Sequence, residues 1–321
     1  MVFLNGKFLP IDEAKVSVLD RGFIFGDGVY ELVPVYSRVA FRLDQHLERL
    51  ERSLAETRIR NPYARGEWRD IIYRLVDAQP FDDQGVYFQV TRGVAKRDHA
   101  FPKGVEPTVF MMSNPLVTPP RELVEKGAAA VSAHDNRWLR CDIKSISLIG
   151  NCLLRHLSAE RAEAETILFR DGKLTEASAS NVFAVRRGVL LSPPKSNLIL
   201  PGITYDVVTE LARANGMPLE LRDVTEAEAS VSLPSRKRIV SVAPASADAW
   251  RNRTLPISEI DLMSQRSQRL STALTATAPF STSSLGGFTS GLHIANTVGS
   301  TPAGNAWSRL ATPRVTWKYT A

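Results

Sequence analysis

Val29-Tyr30-Glu31-Leu32-Val33-Pro34-Val35-Tyr36-Ser37-Arg38-Val39-Ala40-Phe41-Arg42-Leu43-Asp44-Gln45-His46-Leu47-Glu48-Arg49-Leu50-Glu51-Arg52-Ser53-Leu54 changes period part-way along. Val29 to Tyr36 and Val39 to Arg42 read as a strand pair turning at Ser37-Arg38. Asp44 can cap the helix that follows, whose Leu47, Leu50 and Leu54 share one face. Strands feeding a helix, with no regular strand–helix alternation after them, point to an α+β domain.

Working outward, the same texture recurs. Val2-Phe3-Leu4 and Lys7-Phe8-Leu9 flank Asn5-Gly6, a two-residue hairpin signal. Trp68, Ile71, Ile72 and Leu75 mark a second helix. Val86, Phe88 and Val90 alternate with Tyr87, Gln89 and Thr91 as a half-buried strand does, and Pro107 to Met112 reads as another strand. Residues 1–113 therefore form an N-terminal α+β domain. Pro115, Pro119 and Pro120 place a linker at 114–121. Residues 122–228 form a second domain: a strand at Ala128–Ala133, a helix at Cys152–Ala164, a strand at Thr166–Phe169 and a turn at Asp171-Gly172. Paired strands at Asn181–Val185 and Val189–Leu191 follow, then a helix opened by Gly202-Ile203-Thr204 and running to Asn215. Residues 229–321 lose periodicity; a largely irregular tail is expected there, loosest over 271–308.

The chain has 321 residues, 44% of them hydrophobic and 23% charged, which excludes whole-chain disorder and a coiled-coil rod. There is no apolar run of ~18 residues to span a membrane. Met1 to Gly6 carry no basic region before an apolar run, so no secretory signal is expected. Cys141 and Cys152 are the only cysteines, too few for a disulfide framework or a four-cysteine zinc site. No metal is expected, and a cytoplasmic setting is. The net charge of +6 is uneven: residues 262–321 hold five bases and no acid, leaving 35 bases against 34 acids in the rest. The body is nearly neutral. Arg236-Lys237-Arg238 and Arg251-Asn252-Arg253 are basic, but bases are sparse beyond them and no reading motif appears, so nucleic acid is not an expected partner.

Five features could carry chemistry. Lys144 lies among Ile143, Ile146 and Leu148, and a lysine amine becomes a nucleophile or base when burial favours its neutral form. Glu176 follows a turn and precedes an apolar strand, where a carboxylate could hold a protonated ring nitrogen. Gly202-Ile203-Thr204 opens a helix, whose unpaired N–H groups and dipole suit an anion. Arg97 and His99, two apart in an extended loop, point to one side and could grip a carboxylate. Asp20 to Glu31 sets three glycines among aromatics, a loop able to approach a ligand closely. Taken singly, each has an ordinary reading: a surface lysine, a turn-side acid, a plain helix start, a solvated basic loop, a turn before a strand.

Taken in order, the stretches Arg21–Glu31, Thr91–Pro102, Arg137–Leu148, Glu176–Val182 and Gly202-Ile203-Thr204 resemble the fold-type IV pyridoxal-phosphate enzymes. Within them they are most similar to the D-amino-acid transaminases. The resemblance covers residues 1–225. It implies pyridoxal 5'-phosphate as cofactor, Lys144 as its covalent attachment and catalytic lysine, and Glu176 as partner of the ring nitrogen. It implies that Arg49 holds the phosphate with the backbone of Ile203 and Thr204, and that Tyr30, Arg97 and His99 trap the substrate α-carboxylate. In this family the Arg and His come from a neighbouring subunit, which implies a homodimer. The implied reaction passes an amino group from a D-amino acid to a 2-oxo acid, of the D-alanine and 2-oxoglutarate type. Branched-chain aminotransferase, aminodeoxychorismate lyase and an inactive relative are the alternatives.

The resemblance stops near residue 228. Val242 and Ala243 fall where the family places two phosphate-binding hydroxyls. The abrupt loss of acids and of periodicity predicts an out-of-frame translation beyond this point. Resequencing the gene tests it, and the same tail encoded in an intact frame of related strains would overturn it.

Overall fold

The computed structural model describes residues 1–117, 119 and 128–229, together with the backbone of 238–242, 292–298 and 314–319. The chain divides into two compact units. The first comprises Met1–Val117 and Cys141–Ile149; the second comprises Thr118–Arg140 and Gly150–Ala321.

The first unit is built on a six-stranded sheet in the order β2-β1-β6-β5-β3-β4. Its strands are β1 (Val2–Leu4), β2 (Lys7–Leu9), β3 (Gly28–Tyr36), β4 (Val39–Ala40), β5 (Gln84–Thr91) and β6 (Thr108–Pro115). Every pairing is antiparallel. Asn5 and Gly6 sit at φ 46° and 88°, the left-handed pair that matches a hairpin's twist. Ser37 and Arg38, at φ 48° and 65°, make the second such turn without glycine. After the short helix α1 (Arg21–Phe25), helices α2 (Leu43–Thr57) and α3 (Arg65–Asp77) cover the sheet. Leu43, Leu47, Leu50 and Leu54 pack with Trp68, Ile72 and Leu75 onto Val29, Val33, Val86, Phe88 and Val90. Each fully buried leucine contributes about 2 kcal/mol through removal from water.

Two expectations change here. Asp44 does not cap α2. The helix starts at Leu43 after Arg42 in the left-handed region, with no side-chain cap, and Asp44 pairs instead with Arg69 of α3 at 2.7 Å. The stretch assigned to a linker begins inside β6, because β5 continues the ladder to Gln84↔Pro115. Of the rest of 114–121, residues 118, 120 and 121 lie outside the described residues.

The second unit carries a nine-stranded sheet in the order β12-β11-β10-β13-β14-β15-β7-β8-β9. β7 (Ala129–His134) and β8 (Glu165–Arg170) run parallel, joined through helix α4 (Ile149–Ala159). α4 starts and stops earlier than the leucine pattern implied. Ala162 takes φ 54° and Ala164 N donates to Ala129 O at 2.7 Å, so the chain has already joined the sheet. β9 (Lys173–Ala177) follows the Asp171-Gly172 turn, β10 (Asn181–Arg186) and β11 (Val189–Ser192) form a hairpin, and helix α5 (Ile203–Ala214) leads to β12 (Leu219–Leu221). Ile167, Phe169, Leu174, Val182, Leu191 and Val224 form one core of this unit; Phe183, Leu190, Ile199, Tyr205 and Ala212 form another.

β13 (Arg238–Val242), β14 (Leu292–Val298) and β15 (Arg314–Tyr319) are antiparallel neighbours between β10 and β7. Within 271–308, expected to be the loosest part of a largely irregular tail, Leu292–Val298 is a strand, consistent with its β-branched Ile294, Thr297 and Val298. The remainder of that stretch, Ala243 and the Arg251-Asn252-Arg253 cluster lie outside the described residues.

Candidate active site

Lys144 was assigned by sequence to the second domain, yet the segment that carries it belongs to the first unit. The reason is backbone pairing. Tyr30 N donates to Lys144 O at 2.9 Å, and Ile146 N donates to Gly28 O at 3.1 Å, so the segment runs beside the start of β3. Ile143 enters the first unit's core, whereas Ile146 and Leu148 are half-buried. Lys144 N donates to Ser53 Oγ on α2 at 3.3 Å. The lysine is half-buried, with Nζ 4.2 Å from the centre of the Tyr30 ring. Tyr30 in turn stacks at a tilt on Tyr87, 5.7 Å between centroids.

Beneath this lysine lies a buried charge network. Alternation along β3 turns Val29, Glu31, Val33 and Val35 to the core, so Glu31 is an acid on an apolar face. α2 answers it with a polar stripe of His46, Arg49 and Ser53, at i, i+3 and i+7. Arg49 grips Glu31 with two parallel bonds, Nε to Oε1 and Nη2 to Oε2, both 2.8 Å. His46 Nδ1 lies 2.8 Å from Glu31 Oε2. Burial alone would raise the Glu31 carboxyl; the Arg49 charge and hydrogen bonds, helped by His46, outweigh it and hold the group far below the usual carboxylate range. Burial also pushes His46 below its ordinary value. Glu31 works against that shift, while Arg49 and Lys144 add to it.

Arg97 and His99 lie on an exposed loop, both near the Phe25 ring. The Arg97 guanidinium is 5.3 Å and the His99 ring 5.4 Å from its centre.

The second unit holds the other candidates. Glu176, on β9, is buried. Its Oε1 accepts a short hydrogen bond from Arg137 Nη1, and its Oε2 accepts from Leu200 N at 3.0 Å and Asn181 Nδ2 at 3.3 Å. Arg137 is shared: its Nε and Nη2 reach Asp135 Oδ1 and Oδ2, each at 2.9 Å. Asp135 also takes Thr175 Oγ1 at 2.8 Å and pairs with Arg170 at 3.3 Å. Burial pushes Glu176 up to about 7; the charge of Arg137 and its hydrogen bond oppose this, and Asp135 adds to it. Burial would raise Asp135 too, but the Arg137 fork dominates and brings it to about 2.

Ile203 and Thr204 open α5 after Gly202, which provides no side-chain cap. The first N–H groups of a helix have no partner inside it, so this end is open to an anion. Gly202 is sterically required there: a Cβ would lie 1.9 Å from Asn181 Oδ1, on the amide that also bonds Glu176 and, at 2.9 Å, Leu200 O. Among the described residues no group of His, Cys, Asp and Glu is placed to hold a metal ion.

Sequence reading missed Glu31, His46, Asp135, Arg137 and Asn181. Glu31 had a usable signal, an acid in phase with Val29, Val33 and Val35. The α2 stripe had another, three polar residues in phase with the leucine face.

A sequence model of amino-transferase class IV matches residues 28–232. A D-alanine aminotransferase of Bacillus licheniformis is 40% identical over 227 residues, covering 71% of this chain and 80% of that protein. A D-alanine aminotransferase of Staphylococcus epidermidis is 36% identical over 260 residues, covering 81% of this chain and 89% of that one. The structure of a branched-chain amino acid aminotransferase from Thermobaculum terrenum in its PLP-form superposes with a TM-score of 0.62 at 25% identity, over 75% of this chain and 80% of that chain. The matched span takes in Lys144, Glu176 and the opening of α5. The chain belongs to the class IV amino-transferases.

Proposed function

We propose that this chain is a pyridoxal 5'-phosphate-dependent transaminase that moves the amino group of a D-amino acid to a 2-oxo acid, of the D-alanine and 2-oxoglutarate type. Similarity to D-alanine aminotransferases at 36–40% identity over most of the chain supports the substrate class. The observation that carries the chemistry is Lys144, an amine held on the Tyr30 ring by a backbone tied to β3 and α2.

The residues present fit the cofactor. Taken unit by unit, in the first Lys144 would offer an amine to its aldehyde and Arg49 donors to its phosphate; in the second Glu176 would offer a buried carboxyl to its ring nitrogen, and the start of α5 N–H donors to the phosphate. Val242 and Ala243 bring no hydroxyl to that set. When bound, the cofactor supplies an electron sink that makes the substrate's Cα proton removable. Lys144 would take that proton on Nζ and later return it. Glu176, which burial pushes up to about 7 despite its bond to Arg137, would ionise against a cationic ring nitrogen and keep it protonated. Arg49 is already oriented by its fork on Glu31 and loses little freedom in binding an anion.

Tyr30, Arg97 and His99 hold the α-carboxylate. With the carboxylate fixed and one lysine acting as base, only one enantiomer directs its Cα–H at Nζ. A homodimer in the cytoplasm is part of the same reading: Arg97 and His99, exposed on their own protomer, serve the substrate of a second copy. Among the described residues no helix is long and apolar enough to cross a membrane.

A branched-chain aminotransferase is the second reading, favoured by the solved relative from Thermobaculum terrenum. Steady-state rates of the loaded enzyme with D-alanine, L-alanine and L-leucine separate the two. Turnover of D-alanine alone is expected; turnover of L-leucine alone would overturn the first reading.

A further inference from the structure

The loop that carries Arg97 and His99 is exposed, yet it is fastened to a buried charge cluster. Asp27 accepts from two guanidinium groups: Arg21 Nε at 2.7 Å, Arg92 Nε at 2.8 Å and Arg92 Nη2 at 3.0 Å. Arg21 and Arg92 are both buried. Burial alone would raise the Asp27 carboxyl; the hydrogen bonds and charges of Arg92 and Arg21 hold it below its ordinary value.

The donors left over on each arginine reach outward. Arg21 Nη1 donates to the carbonyl of Asp98 at 2.5 Å and to that of Ala100 at 3.4 Å, either side of His99. Arg92 Nη1 and Nη2 donate to the carbonyls of Arg58 and Thr57 at 2.9 and 2.8 Å, at the end of α2. The Arg92 guanidinium lies 3.7 Å from the centre of the Phe101 ring, and that of Arg21 lies 4.8 Å from the Phe25 ring, the same ring that Arg97 and His99 approach. Cation–aromatic contacts of this kind favour one placement of ring and cation. The cluster thus ties one helix end, two rings and two loop carbonyls to a single carboxylate.

We infer that Arg21, Asp27 and Arg92 are positioning residues for substrate carboxylate recognition: they fix the loop so that Arg97 and His99 are presented as a preformed pair. The inference rests on the reading of Arg97 and His99 as the carboxylate trap. Residues 96–100 are exposed; beyond the backbone bonds at the start of the loop, Arg21 N to Gly93 O and Ala95 N to Leu19 O, these side-chain anchors hold it. A pair held in advance binds carboxylate without the entropy loss of ordering the loop. The effect falls on binding, since the carboxylate is held alike before and during proton transfer.

The test uses the full chain loaded with pyridoxal phosphate. Arg21→Lys keeps the charge but shortens the reach to Asp98 and Ala100. It is expected to raise KM for D-alanine about tenfold or more while kcat stays within about threefold. Amide hydrogen exchange over residues 96–101 is expected to speed up, with that of β5 unchanged. Asp27→Asn, of equal size, gives the same pattern and serves if Arg21→Lys does not fold. Unchanged KM together with unchanged exchange overturns the inference, as does faster exchange with unchanged KM. Arg97→Ala, measured alongside, separates the two levels. If it too leaves KM unchanged, the carboxylate-trap reading has failed; if it raises KM while the cluster variants do not, only the positioning role has failed.

Discussion

Glu31 and Glu176 make an instructive pair. Each is a buried carboxylate on a strand, each bonds a buried arginine, and there is one in each unit. Glu31 has Arg49 in a two-pronged fork and His46 besides, and its charge is held at any physiological pH. Glu176 has one prong of an arginine already forked on Asp135, and burial pushes it to about 7. The difference lies in how much positive charge each carboxylate has to itself. Glu31 is satisfied and serves as an anchor. Glu176 is short of positive charge, as a carboxyl must be if a cationic ring nitrogen is to complete it.

Four substitutions or conditions test that contrast. Lys144→Ala removes the group on which both readings of the site converge, and transamination is expected to fall by about 10⁴-fold, measured as turnover of D-alanine. Arg49→Ala strips the anchor of its partner and leaves Glu31 buried and charged. Urea unfolding should show a loss of about 3–5 kcal/mol, and cofactor retention on dialysis should fall. A loss as small as a surface substitution would mean that Glu31 is not an anchor.

Glu176→Gln keeps the shape of the second carboxylate but cannot ionise. Its kcat is expected to drop by about 10²-fold in the loaded enzyme, with the fold intact by circular dichroism. The smallest effect is in the cofactor-free protein. The folded chain keeps a proton on Glu176 that the unfolded chain releases at the ordinary value of 4.5, so stability falls as pH rises from about 4.5 to about 7. Urea unfolding at pH 5 and pH 8 should show a decline of about 2 kcal/mol in the native chain relative to Glu176→Gln. Equal slopes would remove the claim that Glu176 is charge-starved.

What the sequence shows of this molecule follows from how local each signal is. The Asn5-Gly6 hairpin and the Leu47, Leu50 and Leu54 face are written within a few residues, and both are found in the structure. Lys144 was singled out, but its unit was not, because Tyr30 N and Gly28 O lie more than a hundred residues away. Asp44 looked like a cap because nothing nearby announces Arg69. Glu31 sat inside a stretch noted for its glycines, and its partners on α2 are fixed only once strand and helix are packed. Arg137 lay inside a stretch quoted for Lys144, while its contact is with Glu176, 39 residues on. The charges that tune this site are set by tertiary neighbours, which one-dimensional spacing does not encode.

The most direct test of the central claim is a visible absorption spectrum of the purified chain with pyridoxal phosphate, taken before and after adding D-alanine or L-alanine. The account predicts a band of lysine-bound cofactor, absent in Lys144→Ala, that D-alanine converts to the aminated form and L-alanine leaves unchanged. No band, or a band that only the L-enantiomer converts, would contradict it.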